Sequence, residues 1–325
     1  MRPKGNSVMK ILLTGATGVI GRRVVPLLRE AGHEVTAVVH SRPARAELAR
    51  HGVTTIDLDL FDAPAVRRAL AGQEAVVNLA TRIPHSNLQI LLPWAWREND
   101  RLRRVASATL VDAAISVGVA RFVQESFAPV YPDCGDRWID ETERIAPVRY
   151  NRTVADAEAA AARFSDSGRT GIVLRFGAFY GPDAFQTAAM LASVRRGWAP
   201  LPGPPNAFVS SISHDYAASA VAAAIGLAPG IYNVVDDAPV THREFFDVVA
   251  EAIGVGTPRL PPPWLTPLFG SIGKMAARSL RISNRKLRDA SDWVPKYPSV
   301  RQGWPSVVGD TSPTLRAPVP SKPMT

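Results

Sequence analysis

Ile11-Leu12-Leu13-Thr14-Gly15-Ala16-Thr17-Gly18-Val19-Ile20-Gly21 places three glycines, with two residues between each and the next, between an apolar run and an amphipathic one. The pattern predicts a strand over 10–13, a tight turn and a helix over 21–31. A first glycine permits the turn, a second lets backbone approach a pyrophosphate, and a third lets the helix pack closely on its strand. The helix start offers free N–H groups and its positive dipole end to phosphates. The segment is therefore read as a loop for NAD or NADP, with Gly15, Thr17, Gly18, Val19, Ile20 and Gly21 along the dinucleotide.

The second strand, 34–39, should end beside the adenosine ribose, where an Asp or Glu would bond the 2′-hydroxyl of NAD. The chain instead reads His40-Ser41-Arg42-Pro43-Ala44-Arg45. A hydroxyl and two guanidiniums suit a 2′-phosphate, so NADP is expected over NAD, with His40, Ser41, Arg42 and Arg45 around it.

Further outward, apolar runs alternate with amphipathic ones: a helix over 44–50, a strand over 53–57, a helix over 64–71, a strand over 75–79, a long helix over 97–117 and a strand over 121–124. A helix over 153–164 then leads to a buried strand over 171–174, with Arg175 at its carboxyl end. Such repetition marks an α/β fold, a Rossmann-type doubly wound parallel sheet. Residues 1–180 are expected to form the dinucleotide-binding domain. Beyond Gly181 prolines multiply, and 181–308 reads as a smaller, interleaved C-terminal substrate lobe, with 231–235 returning to the main sheet. The Pro, Ser and Thr-rich end after about Trp304, 309–325 above all, reads as a disordered tail.

With 325 residues, 46% of them hydrophobic, the chain can bury a large core. Its net charge of +9 is scattered. The densest cluster, Arg101, Arg103 and Arg104, has Asp100 among its members and Leu102 and Val105 beside them, as on a solvated helix, so no nucleic-acid partner is expected. One cysteine, Cys134, excludes an intramolecular disulfide. The basic start lacks an apolar leader, and no apolar run is long enough to span a membrane. A cytoplasmic location is expected. No histidine spacing points to a metal, and no nucleophile elbow points to acyl transfer.

The loop 14–21 resembles that of the extended short-chain dehydrogenase/reductases, the NAD(P)-dependent epimerase/dehydratase family. Other stretches carry the same resemblance: Asp59-Leu60, Asn78-Leu79-Ala80-Thr81, Val130-Tyr131-Pro132-Asp133, Leu174 through Pro182, and Tyr232-Asn233-Val234. It implies that Asp59, Leu60, Leu79, Ala80, Thr81 and Phe176 border the cofactor. It also implies a catalytic Ser or Thr and a Tyr followed four residues later by Lys. In such machinery the lysine lowers the tyrosine pKa and the phenol exchanges a proton with the substrate. Tyr150 is well placed, with Glu158 eight residues on, but Val154 occupies the lysine position. Phe127 stands where serine is usual, with Ser126 one residue earlier. Tyr150 and Ser126 are the candidate catalytic residues, Tyr150 keeping a pKa near its ordinary ~10 unless another cation, Arg152 being nearest in sequence, takes the lysine's part.

Substrate is expected at the carboxyl edge of the sheet. Arg82, Ile83, Pro84, His85, Trp94 and Trp96 follow the fourth strand, and Phe127, Tyr131, Phe179 and Tyr180 add aromatic surface. Arg82, Trp94, Phe127, Tyr131, Phe179 and Tyr180 are the candidate contacts to a small hydrophobic or polycyclic substrate. His214-Asp215 reads as a helix cap or anchor. Three functions fit: an oxidoreductase working on a carbonyl or hydroxyl carbon, a non-redox isomerase, cyclase or lyase, or a dinucleotide-sensing binding protein. The resemblance makes a homodimer plausible.

Overall fold

A computed structural model describes residues 8–84 and 87–310. The basic start, His85 and almost all of the expected tail lie outside those residues. Seven strands, β1 (Lys10–Thr14), β2 (Glu34–Val38), β3 (Thr54–Ile56), β4 (Ala75–Asn78), β5 (Arg121–Phe127), β6 (Thr170–Phe176) and β7 (Gly230–Val234), form one parallel sheet in the order β7-β6-β5-β4-β1-β2-β3. The inner strands are apolar runs buried on both faces, as a sheet covered on each side requires. The order reverses between β1 and β4, which opens a crevice at their carboxyl ends.

On one face lie α1 (Gly21–Glu30) and the later helix 214–224, through Val24, Val25, Leu28, Ala217, Val221 and Ala224. The other face carries the helix 63–70, the helical run 97–117 and the helix 154–166. In chain order these helices are α1, α2 (Arg42–Arg50), α3 (Ala63–Leu70), α4 (Arg97–Arg101), α5 (Ser107–Val117), α6 (Val154–Asp166), α7 (Phe185–Arg195), α8 (His214–Ala224), α9 (His242–Ala252) and α10 (Val300–Asp310). The run expected as one helix over 97–117 is interrupted: a π-turn, Leu102–Ala106, joins α4 to α5. It turns Arg103 inward, where only 8% of the residue is exposed. That corrects the solvated-face reading of the arginine cluster. Arg101 lies over the Phe61 ring at 3.6 Å and Arg104 pairs with Asp156 at 3.2 Å.

β5 runs three residues further than expected because β6 continues beside it to the pair Phe127↔Phe176. β7 does return to the main sheet, against β6. A second core gathers Tyr180, Leu191, Val194, Phe245, Val249, Val300, Trp304 and Val307. Trp304 is fully buried and stacks on Tyr180 at 5.6 Å. The chain after Trp304 therefore does not loosen at once: Val300, Trp304 and Val307, at helical spacing, give α10 an apolar stripe that this core requires.

His214 and His242 are both buried, and burial pushes each imidazole down to about 4. The unfolded chain binds protons that the folded protein refuses, so both histidines favour the fold above 6.5 and cease to do so as the pH falls to about 4. Within that window each should remove up to about 1.4 kcal/mol of stability per pH unit. Urea unfolding at pH 7 and pH 5 checks this. His242→Phe should flatten the dependence, and an unchanged slope would show that His242 titrates normally.

Candidate functional site

Gly15 adopts φ +70°, and a Cβ on it would lie 2.4 Å from the Leu79 carbonyl oxygen. One on Gly21 would lie 2.0 Å from the Gly15 carbonyl oxygen, backbone that has no room to move aside. These two glycines thus lock the loop between β4 and α1. Gly18 donates its N–H to the Gly15 carbonyl at 3.0 Å, while Thr17 and Gly18 face solvent. No side chain caps α1 at Ile20, so its positive end stays open to an anion. The residues present fit a dinucleotide pyrophosphate.

Two arginines that sequence reasoning passed over stand in the first turn of α1. Arg23 donates to the Val19 carbonyl at 2.8 Å and pairs with Asp215 at 2.6 Å; Arg22 and Arg23 both reach Asp183, at 3.0 and 3.2 Å. Asp183 holds φ +69°, unusual for a residue with a side chain. The Arg-Arg pair directly behind the third glycine was the available signal. Of the expected His214-Asp215 cap, the acid is the anchor to α1, whereas Ser213 caps α8 through the Tyr216 N–H at 3.3 Å.

At the end of β2, Arg45 pairs with Asp57, which His40 also contacts at 2.9 Å. These two hydrogen bonds, His40's first, hold the Asp57 carboxyl below the usual carboxylate range. Ser41 is the N-cap residue of α2 and its hydroxyl makes no cap bond. Arg42 projects into solvent, and no ion pair engages it among the described residues. Asp59 is exposed and accepts the Phe61 N–H at 2.9 Å, Leu60 is buried, and Leu79, Ala80 and Thr81 pass directly under Gly15 and beyond it. Below them Asn78, wholly enclosed, accepts from Thr14 at 2.6 Å and donates to Gln124 at 2.9 Å and Ser107 at 3.2 Å.

On the reacting side, Tyr150 sits in a single helical turn, Arg149–Asn151. Asn151 fixes that turn by accepting the Val148 N–H at 2.8 Å and donating to the Pro129 carbonyl at 3.1 Å. The Tyr150 ring meets Trp96 edge-on at 4.4 Å and Phe127 at 6.5 Å. Val154 is fully buried in the first turn of α6. Burial pushes the Tyr150 phenol up to about 12, with Arg103 opposing that rise and Glu125 adding to it. This corrects the expected value near 10. Arg103 and Glu125 form a buried pair at 3.1 Å.

Three candidates leave the site. The Ser126 hydroxyl lies within a regular, unbulged β5, buried, and donates to Glu158 at 2.5 Å. Strand alternation turns it away from the face that carries Glu125 and Phe127. Tyr131 is also buried, donating to Asn233 at 2.9 Å and accepting from Arg175 at 2.7 Å. Tyr180 belongs to the second core. Phe176 is buried too, so its ring packs in the main core and meets the Phe179 ring at a tilt, 5.4 Å between centroids. Arg82, Trp94 and Phe179 remain exposed at the sheet edge, the Arg82 N–H bonding Asn99 at 3.0 Å. Glu158, Arg175, Arg103 and Glu125 are the charged groups that the sequence reading left without a site role.

A family model described as the NAD dependent epimerase/dehydratase family matches residues 11–198. A Streptomyces protein named 3-diazoavenalumate denitrifying reductase is 33% identical over 91% of this chain and 99% of its own. Among solved structures, the UDP-glucose 4-epimerase of Thermus thermophilus in complex with NAD superposes with a TM-score of 0.73 at 25% identity, covering 94% of this chain and all of that one. A human epimerase family protein with NADPH gives 0.74 at 21% identity, covering 93% of this chain and 100% of that one. The locked glycine loop at the sheet's switch point, with this match, makes the chain a member of the NAD dependent epimerase/dehydratase family and an NAD(P)-dependent enzyme of the extended short-chain dehydrogenase/reductase type.

Proposed function

We propose that the chain is an NADPH-dependent reductase of a flat, aromatic electrophile. The observation that carries this reading is Tyr150, whose phenol is clasped by Trp96 and Phe127 while the next turn presents buried Val154 where a lysine would serve. A phenol held up to about 12 is protonated near neutral pH. It can give a proton to an oxygen but is a poor base for taking one. Reduction is thereby favoured over alcohol oxidation, and over any epimerisation that begins with it. When bound, the reduced nicotinamide supplies the hydride. Tyr150 donates to the carbonyl oxygen as the adjacent carbon gains that hydride, and solvent returns the proton to the phenol. Trp96 and Phe127 give the substrate ring apolar surface and exclude water, and Trp94 extends that surface to the rim.

A second substrate class has its own support in the 33% identical reductase, whose name specifies a diazo compound and loss of its nitrogen. Hydride addition to the terminal nitrogen of an aryl diazonium gives an aryldiazene. Its C–N bond then breaks, N2 leaves, and the N–H proton ends on the ring carbon. That sequence needs no tyrosinate and no lysine, which fits Val154 and the missing serine.

For the cofactor, Arg42 and the α2 N-terminus would face a 2′-phosphate, Asp57 being already engaged by Arg45 and His40. Fluorescence titration with NADPH and NADH tests this. NADPH should bind more tightly, and Arg42→Ala should weaken it by about tenfold, a loss of about 1.4 kcal/mol, while leaving NADH unchanged. Equal affinities, or an Arg42→Ala effect on both, would mean that the loop does not read the phosphate. NADPH consumption with an aromatic quinone and with an aryl diazonium salt then separates the two substrate classes.

A further inference from the structure

We propose that Arg103, clamped by Glu125, is the positioning cation for Tyr150, doing from the π-turn what the absent lysine would do from α6. The idea rests on the reading of Tyr150 as proton donor. Four observations carry it. Arg103 is 9% and Glu125 13% exposed at the side chain, and they meet at 3.1 Å. The contact uses one nitrogen and one oxygen, leaving Arg103 Nε and Glu125 Oε2 buried without a partner. A pair kept only for stability would be expected to satisfy these atoms, since unpartnered buried polar groups are costly. Glu125 shares its strand face with Phe127, whose ring lies against Tyr150. Finally, the π-turn itself directs Arg103 inward, and such interruptions recur at functional sites.

The other charges near Tyr150 do not compete. Arg149 and Arg152, on and beside its own turn, are exposed, and so is Lys274 on the packed segment Gly270–Ala276. Arg152, the nearest cation in sequence, is not among the charges that act on the phenol. Arg103 and Glu125 pull the phenol in opposite directions, the arginine with the stronger influence. The pair therefore sets how readily Tyr150 releases its proton without itself touching substrate.

Placing difluorotyrosine at position 150 brings the phenol's titration into a pH range where the fold holds, and fluorine NMR then reads its ionisation constant. In that background Glu125→Gln should raise the constant and Arg103→Met should lower it, each by about tenfold. Arg103→Lys should stay within about threefold of the parent. If either single variant melts early because a charge is left buried alone, the pair R103M/E125Q leaves neither charge unpaired, and it should lower the constant because the cation is the stronger influence. Opposite shifts in the singles, or the lowered constant in the double, uphold the proposal. Shifts in the same direction, or none beyond twofold, overturn it. Activity is a separate arm: NADPH consumption with phenanthrenequinone should fall in kcat, with KM held, in Tyr150→Phe and in R103M/E125Q alike. Full activity in Tyr150→Phe would refute the proton-donor reading and leave the ionisation result standing on its own.

Discussion

Glu158→Ala is expected to destabilise the protein by about 3–5 kcal/mol, the usual consequence of removing one partner from a buried ion pair. Arg175 donates to Glu158 through Nε at 2.8 Å and Nη2 at 2.6 Å, and Ser126 adds a third bond at 2.5 Å. Both charged side chains are less than one-tenth exposed, so solvent has little part in screening them. The Arg175 guanidinium left behind would keep only its bond to Tyr131 and would lose its counter-charge. The double replacement Glu158→Leu with Arg175→Met should cost much less, because no charge is stranded. Urea unfolding monitored by circular dichroism distinguishes them. A cost below about 1 kcal/mol for Glu158→Ala would show that the network relaxes and that Glu158 does not hold β5, β6 and α6 together.

Gly21→Val should reduce dinucleotide affinity by at least about 100-fold, or about 2.7 kcal/mol, with most of the fold retained. The new side chain would start 2.0 Å from the Gly15 carbonyl oxygen, and relief requires α1 to lift from the loop. That movement takes with it the N-terminal N–H groups that a pyrophosphate needs. Val24, Val25 and Leu28, on the packed side of α1, should still anchor the helix. Gly18→Ala separates the two effects, since its Cβ would meet the Gly15 carbonyl oxygen at 3.2 Å without lifting α1, so a loss of affinity there reports the close approach of the pyrophosphate alone. Fluorescence titration with NADPH, alongside a thermal melt, checks both. Unaltered binding by Gly21→Val would mean that the third glycine is dispensable to the loop.

The glycine loop and the sheet were legible because their signals are local: glycine spacing, β-branched runs and helix starts lie within a few residues of each other. The return of residues 231–235 to the sheet was legible for the same reason. The reacting side was not, because its logic runs between distant segments. Arg103 looked like one member of a solvated cluster, since a π-turn that rotates a helix by a fraction of a turn leaves no mark in hydrophobic periodicity. Asp57 read as the end of a strand, while its partners His40 and Arg45 come from the loop after β2 and from α2. Ser126, Tyr131 and Tyr180 carry hydroxyls that suit a site, yet each is buried by neighbours from other parts of the chain. Tyr150 and Val154 were placed by the family resemblance, and the structure adds what resemblance could not: which rings clasp the phenol and which charges reach it.

The two cores have a consequence for the order in which the chain acquires its structure during synthesis. β6 has an unpaired edge until residues 230–234 have left the ribosome, and the second core lacks its centrepiece until Trp304 has followed. An uncovered parallel edge is a template for wrong partners, and contacts joining residues so far apart in sequence form slowly. The nascent protein thus completes its binding loop by Thr81, long before Trp304 closes the second core. Variants that weaken α10 should therefore betray themselves first as poor soluble yield in the cell, before any change in the finished molecule's affinity for its dinucleotide.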